Sequence, residues 1–163
     1  MRRKDKEVTS REWMLEVLRE GIYAEIAMAG KDGRPYVLPM NYGFDDGHLI
    51  VHGALAGKKI DMLKENPHVC FNVLTGVKLF RNPDDPSDVS SEFNSVTGFG
   101  TARFLEDPQE KLAAATLLMD HYEAPMNERL VKKLKVTSVI VIDIEEMTGK
   151  VSKKPKPADS ITH

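Results

Sequence analysis

The sequence predicts a mainly β fold, in which six mostly antiparallel strands form a small β-barrel and a few helices pack against its outside. Six short segments carry the apolar patterns of strands, and the first three are joined by tight turns that contain Asp-Gly, at residues 30–34 and 45–47. The length of 163 residues, with 41% hydrophobic and 29% charged residues, suits one globular domain. We expect that domain to cover residues 1–148, followed by a polar C-terminal tail over residues 149–163.

Capping signals mark the predicted helices. Thr9 and Glu12 have the spacing of a capping box, which predicts a first helix after Thr9. A second, short helix is expected to end before Pro67, because proline disfavours helical backbone in the residue that precedes it. A third is expected to begin after Asp107, and a further helical turn or two is expected over residues 127–135.

The strands follow from alternating or continuous apolar residues. The last strand is almost continuously apolar, which is typical of a strand buried on both faces. Proline, aspartate and serine dominate residues 81–92, which predicts a loop that is either solvated or a lid over a site. The six predicted strands cover residues 22–28, 34–44, 48–53, 68–76, 93–107 and 136–147.

Composition and motifs exclude several classes of function. The formal net charge of −2 argues against a general nucleic-acid binder. The single cysteine, Cys70, excludes an internal disulfide framework and suits a reducing cytoplasm. The sequence shows no signal peptide and no segment long enough to span a membrane, so we expect a cytoplasmic protein without a membrane partner. The five histidines lack metal-ligand spacing, and we find neither a serine-nucleophile elbow nor a P-loop, so neither a metal site nor triad hydrolysis is expected.

The segment from His52 to Lys59, "HGALAGKK", contains the first candidate site. A strand ends at His52-Gly53, a turn of small residues follows, and Lys58 and Lys59 then open a helix. Lysines in a first helical turn oppose the partial positive charge of the helix N-terminus. A bound anion such as a phosphate would resolve this conflict. The alternative, that both lysines point into water, is equally compatible with the local sequence.

A proline inside a predicted strand gives the second candidate site. In "RPYVLPMNYGF", Pro39 cannot donate a hydrogen bond to a neighbouring strand, which predicts a bulge or the end of strand pairing. Backbone groups of Met40 and Asn41 would then be available to a flat heterocycle with alternating donors and acceptors, such as the pyrimidine edge of a flavin. The alternative is a proline on an edge strand with no ligand.

These motifs in this order resemble the pyridoxamine 5'-phosphate oxidase-like FMN-binding split-barrel family, and within it the branch of nitroimidazole-resistance proteins (nitroimidazole reductases). The resemblance rests on the segment "PYVLPMNYGFDDGHLIVHGALAGKKIDMLKENPHVCF" together with the leader "MRRKD" and the strand "NSVTGFGTARFLED". It implies a split β-barrel and a homodimer with FMN at its interface. One departure is Asn94, where many relatives carry a larger polar residue, often arginine.

The resemblance also implies which residues bind FMN. The backbone of the strand that contains Pro39 would face the isoalloxazine, and residues at the end of the next strand would lie beside the ribityl chain and phosphate. The turn with Gly57, Lys58 and Lys59, which we call the lysine turn, would hold the phosphate. Two further residues would reach the same FMN from the partner chain. In this order the four groups are Leu38, Pro39, Met40 and Asn41; His52 and Ala54; Gly57, Lys58 and Lys59; and Ser95 and Val96.

The resemblance implies an FMN-dependent oxidoreductase that passes electrons from a reduced nicotinamide to a small acceptor such as a nitroaromatic. The catalytic residue is unknown, and His52 is the best candidate for a proton-handling role because a histidine titrates near neutrality. An alternative is a non-catalytic module that binds FMN or another phosphorylated heterocycle, in a broader group with pyridoxal-phosphate carriers, haem-binding split barrels and deazaflavin reductases. Pyridoxamine-phosphate oxidase activity itself is not expected, since the sequence lacks an arginine-rich motif for that substrate. A cofactor-free structural dimer would leave Pro39, Lys58 and Lys59 unexplained.

Overall fold

The computed structural model describes residues 3–152, and within them it contains eight strands, four α-helices and two short 3₁₀ turns. The mainly β fold with peripheral helices is thereby confirmed. The strands are β1 (Glu7–Val8), β2 (Ala24–Ala29), β3 (Pro35–Met40), β4 (Tyr42–Phe44), β5 (His48–Gly53), β6 (His68–Arg81), β7 (Val89–Phe104) and β8 (Ser138–Ser152). The helices are α1 (Arg11–Glu20), α2 (Lys58–Glu65), α3 (Pro108–His121) and α4 (Glu128–Lys133), and the 3₁₀ turns are Lys4–Lys6 and Leu134–Val136.

The strands form one antiparallel sheet that curls into a split barrel. The order across the sheet is β3-β2-β6-β7-β8-β5-β4, and β1 pairs separately with β8. Strands β3 and β4 therefore stand at opposite ends of the sheet, yet only Asn41 lies between them in the chain. The two ends of the sheet must meet at Asn41, and β3 keeps an open edge there because it pairs only with β2.

The strand count differs from the predicted six for two reasons. The predicted strand over residues 34–44 divides into β3 and β4 at Asn41, and the two-residue β1 is too short to give a periodic signal. The expected interruption of pairing at Pro39 is wrong, because the register between β3 and β2 runs without a shift and places Pro39 opposite Glu25. Pro39 is tolerated because an edge strand has no second neighbour that needs its missing N–H group.

Strands β6 and β7 are longer than predicted and form an extended hairpin. Pairing continues to Arg81 opposite Val89, so the predicted loop over residues 81–92 is reduced to its tip at residues 82–88. The remaining residues of that segment belong to strands, because serines and a glutamate are compatible with an exposed ladder. Strand β8 runs to Ser152, four residues beyond the predicted end of the domain, and the rest of the predicted tail lies outside the described residues.

Capping explains where the helices begin. The Ser10 hydroxyl accepts a hydrogen bond from the Trp13 N–H at 3.2 Å, so helix α1 is capped one residue later than the predicted Thr9. Helix α3 begins as predicted, with the Asp107 carboxylate accepting from two first-turn N–H groups. Helix α2 begins without any side-chain cap.

Two apolar clusters hold the barrel and its helices together. The larger fills the barrel interior and includes Tyr42, whose buried hydroxyl donates to the Leu18 carbonyl of α1 at 2.6 Å. The smaller lies between the outer face of β5 and β8 and helix α3, where Ile50 packs with Leu118. Gly43 allows α3 to lie directly against β4, because any Cβ there would collide with the backbone of Leu118.

Candidate functional site

The N-terminus of α2 offers unpaired backbone N–H groups at the protein surface. Gly57 precedes the helix with φ +122°, a conformation that disfavours other residues, and no side chain caps the first turn. The turn at residues 54–57 is exposed throughout. This arrangement is open to an anion, which would accept hydrogen bonds from the first-turn N–H groups and benefit from the helix dipole.

Lys59 links this turn to the two strands that carry the other candidate residues. Its Nζ donates to the His52 carbonyl oxygen at 3.1 Å and lies 3.7 Å from the Met40 sulfur. Gly53 makes the close approach possible, because a Cβ there would overlap the Lys59 ammonium. Partial burial lowers the pKa of Lys59 from its usual value of 10.5. The structure thus brings the ends of β3 and β5 together around one half-buried positive charge.

Lys58 takes a different direction from Lys59. Its Nζ lies 4.4 Å from the centroid of the Tyr36 ring in β3, the geometry of a cation–π contact. The two lysines therefore diverge around the start of α2. The prediction that both meet one phosphate is compatible with Lys59 as it stands, and requires Lys58 to leave the Tyr36 ring.

His52 lies on the outer side of the barrel, on the same face of β5 as Ile50. Desolvation lowers the pKa of His52 below its usual 6.5, and the positive charge of Lys59 lowers it further. The imidazole is therefore neutral at pH 7. It can exchange hydrogen bonds with a ligand, but it does not add a positive charge to the site.

The other residues predicted in β3 and beside it divide between two faces. Met40 is buried and Leu38 half-buried toward the barrel core, whereas Pro39 and Asn41 are exposed. Pro39, Met40 and Asn41 line a shallow surface depression that also contains Tyr23. With β2 on one side only, the outward backbone groups of β3 are available to a ligand or to another chain.

Ser95 and Val96 lie on β7, which β8 separates from β5 in the order of the sheet. Across the sheet, Val96 is in register with Val73 of β6, and Met40 with Ala24 of β2, which is the neighbour of β6. Ser95 and Val96 are both buried, and Val96 is paired with Val73 of β6 on one side and with Gly149 of β8 on the other. The contact of Ser95 and Val96 with FMN stays a prediction.

An apolar groove beside His52 was not predicted from the sequence. It lies between β5 and β8 on one side and α3 and α4 on the other, with a volume of about 470 Å³, and we call it the α3–α4 groove. His52 and Ala54 line one end of it. Its other residues come from three distant segments of the chain, namely Ile50, Val139, Leu118, Met119, Leu130 and Lys133. No local sequence signal marks them, because each has the spacing of an ordinary core or surface residue.

The donor set fits a planar heterocycle that carries a phosphate. An uncapped helix start and a half-buried lysine suit the phosphate, and an open strand edge suits a ring with its own donors and acceptors. Within residues 3–152, histidine, cysteine and carboxylate side chains do not form a group that could hold a metal ion. In the same range, the helices are too short or too polar to span a membrane.

Comparisons with known proteins identify related sequences and folds. The chain matches the pyridoxamine 5'-phosphate oxidase family over residues 10–151. Its structure is similar to that of a candidate 5-nitroimidazole antibiotic resistance protein from Bacteroides thetaiotaomicron VPI-5482, with a TM-score of 0.78 and 27% identity over 89% of this chain and 86% of that one. None of the curated proteins matches the sequence.

Two further solved structures share the fold at lower identity. The flavocytochrome Anf3 from Azotobacter vinelandii has a TM-score of 0.78 and 22% identity over 98% of this chain and 75% of that one. An FAD- and haem-binding protein from Mycobacterium smegmatis has a TM-score of 0.77 and 24% identity over 94% and 77%. At these identities the likeness shows the split-barrel fold and nothing about the ligand.

Proposed function

The chain belongs to the pyridoxamine 5'-phosphate oxidase family, and we propose that it binds FMN as a cytoplasmic, flavin-dependent oxidoreductase. In this proposal a reduced nicotinamide donates electrons and a small molecule such as a nitroaromatic accepts them. The proposed acceptor is supported by the similarity to the candidate 5-nitroimidazole resistance protein. Bound FMN would supply the electron-transfer chemistry, while the protein binds, orients and shields it.

The observation that carries the proposal is the position of Lys59 at an uncapped helix start. Lys59 lies beside the ends of β3 and β5, the two strands from which the sequence predicts cofactor contacts. Gly57, Lys58 and Lys59 would hold the phosphate, with Ala54 in the adjoining turn. A half-buried ammonium makes a stronger contact with phosphate than an exposed one, because the surroundings screen the charge less.

The open edge of β3 would bind the flavin ring. Leu38, Pro39, Met40 and Asn41 would contribute backbone groups, and the Asn41 side chain offers both a donor and an acceptor. His52, neutral at pH 7, would hydrogen-bond the cofactor rather than attract its charge. Its role as a proton donor or acceptor toward substrate remains part of this proposal.

We propose a homodimer, because the family resemblance implies that FMN binds between two chains. As the resemblance implies, Ser95 and Val96 of a second copy would complete the site. A suitable surface exists on the outer face of the sheet, where Val37, Ala27, Cys70 and Phe99 form one apolar row across four strands. Val37 is 59% exposed and Phe99 49% exposed. Burying such a row against a second copy would remove apolar area from water.

Two alternatives share the same site. FAD could replace FMN, since proteins of this fold from Mycobacterium smegmatis and Mesorhizobium loti are described as binding FAD. The second alternative is a non-catalytic carrier of FMN, because a fold and its cofactor do not determine which reaction, if any, is catalysed. Both keep the phosphate at the lysine turn.

An absorption spectrum of the purified protein, followed by mass analysis of any chromophore released by heat, tests the proposal. Flavin bands with roughly one FMN per chain are expected, and one FAD per chain would favour the first alternative. Oxidation of NADH or NADPH with a nitroaromatic acceptor then separates an enzyme from a carrier. A colourless protein that takes up neither FMN nor FAD would refute the flavin site.

A further inference from the structure

The α3–α4 groove has the size of a small-molecule site. Its volume of about 470 Å³ falls in the range typical of ligand pockets, roughly 300–1,000 Å³. The floor is formed by Ile50 and Val139, both 2% exposed, and Leu118 of α3 closes one side. An apolar floor of this kind favours a hydrophobic group of a ligand, such as an aromatic ring.

Charge in the groove favours an anion over a cation. Lys133 lines the α4 side, and it forms no ion pair in the described part of the chain. The Thr137 hydroxyl already donates to the Lys133 carbonyl oxygen at 2.8 Å, so it can only accept a hydrogen bond from a ligand. His52, at the sheet side, is neutral at pH 7. The charged group available to a ligand is therefore the Lys133 ammonium.

The groove is continuous with the lysine turn. His52, Gly53 and Ala54 line one end of the groove, and the same residues lead into the uncapped start of α2. A molecule bound in the groove would therefore contact whatever occupies the cofactor site.

We infer that the α3–α4 groove binds a small aromatic anion, with its ring on Ile50 and Val139 and its acidic group toward Lys133. This ligand is the substrate class of the neighbouring site, a step that rests on the proposed function. The binding itself does not depend on flavin, so it can be tested separately.

A fluorescent probe pair tests the inference on the full-length protein. The anionic probe 1-anilinonaphthalene-8-sulfonate should bind saturably, at about one molecule per chain, and its neutral analogue N-phenyl-1-naphthylamine should bind in the same place. Lys133→Glu should weaken the anionic probe about tenfold or more and leave the neutral probe unchanged. The adjacent Lys132→Glu, which makes the same charge change outside the groove, should affect neither.

A filling variant tests the location. Ala115 of α3 lines the groove, whereas Ala113 of the same helix is exposed outside it. Ala115→Trp should abolish binding of both probes, and Ala113→Trp should preserve it. Thermal unfolding by circular dichroism identifies any variant that fails to fold, and in that case Leu130→Trp replaces it on α4.

The flavin content of each variant separates this inference from the proposed function. The expected probe pattern in a protein that neither contains FMN or FAD nor takes them up would support the groove and refute the cofactor. Equal effects of Lys133→Glu and Lys132→Glu, or no saturable binding at all, would overturn the inference. Displacement of the probe by FAD but not by FMN would also overturn it, because the groove would then hold the adenosine half of FAD.

Discussion

Gly53→Ala tests whether the position of Lys59 controls cofactor binding. A methyl carbon at Gly53 would overlap the Lys59 ammonium and approach its Cε to 3.0 Å. Gly53 is not among the glycines with positive φ, so alanine fits the backbone. The substitution should therefore act by displacing the end of Lys59 from the His52 carbonyl oxygen.

The expected effect follows from the contact with the FMN phosphate that the displaced Lys59 ammonium would lose. A hydrogen bond with a charged partner contributes about 1.5–3 kcal/mol, and the lower end applies here because Lys59 is only half-buried. A loss of about 1.5 kcal/mol corresponds to a roughly tenfold rise in the Kd for FMN. The free energy of unfolding should change by less than about 1 kcal/mol, because the displaced group is the end of a flexible side chain.

Reconstitution of the apoprotein with FMN, followed by quenching of flavin fluorescence, measures this Kd. Gly47→Ala is the matched control, because a Cβ at Gly47 meets no atom within 4 Å. Chemical denaturation of each apoprotein provides the unfolding free energy in parallel. The control should leave both quantities unchanged.

A double-mutant cycle identifies the cause. Lys59→Met removes the ammonium itself and should raise the Kd at least as much as Gly53→Ala does. In the Lys59→Met background, Gly53→Ala should have little further effect, because the two substitutions act through one contact. A tenfold loss in both backgrounds would refute the reasoning, since the methyl group would then be acting directly on the cofactor or on the turn.

Three other predictions concern the protonation, stability and assembly of the protein. The NMR titration midpoint of His52 should lie below 6.5, and Lys59→Met should raise it while leaving it below 6.5. The substitution removes the charge of Lys59 but leaves desolvation, the other cause of the lowered pKa. An unchanged midpoint would contradict this. Tyr42→Phe should lower the free energy of unfolding by about 1–2 kcal/mol in urea denaturation, since a buried hydroxyl no longer donates to a carbonyl of α1; an unaltered urea midpoint would show that the bond contributes nothing. Phe99→Asp should convert the proposed dimer to a monomer in analytical ultracentrifugation and lower its flavin content. Val131→Asp, on an exposed part of α4, should do neither. If Phe99→Asp sediments like the wild type, the outer sheet face is not the interface.

Local signals in the sequence predicted most of the fold. The Asp-Gly turns and the Asp107 cap depend on a few neighbouring residues, and they appear where expected. Strand β8 exists as predicted from its apolar residues, but it covers residues 138–152 instead of 136–147, and only its first five residues form the expected continuous buried run. The errors arose where longer-range contacts decide the structure. The ladder between β6 and β7 extends into a polar segment because strand pairing with a neighbour overrides its low apolar content. Strand β1 exists only because β8 lies beside it.

The candidate site was predictable to the extent that it lies within continuous segments. The lysine turn could be recognised because two lysines at a helix start conflict with the helix dipole. That conflict can be seen in four consecutive residues of the sequence. The different directions of Lys58 and Lys59 could not be predicted, because they depend on Tyr36 in one strand and His52 in another. The α3–α4 groove was missed for the same reason, since it exists only once two helices are packed over the sheet.

The open edge of β3 links the two sequence motifs, the strand that contains Pro39 and the turn that contains Lys58 and Lys59. A fully closed barrel has no free edges, whereas this sheet leaves β3 unpaired on one side and puts Pro39 on it. Such an edge risks pairing with another chain, and natural proteins usually shorten, charge or cover it. Here Lys59 lies between the two strand ends and contacts both Met40 at the end of β3 and the backbone of His52 at the end of β5. A ligand bound between the lysine and the open strand would cover the edge and neutralise the charge together, so loss of the ligand should expose both and make the apoprotein the form more prone to aggregation by strand pairing at the β3 edge.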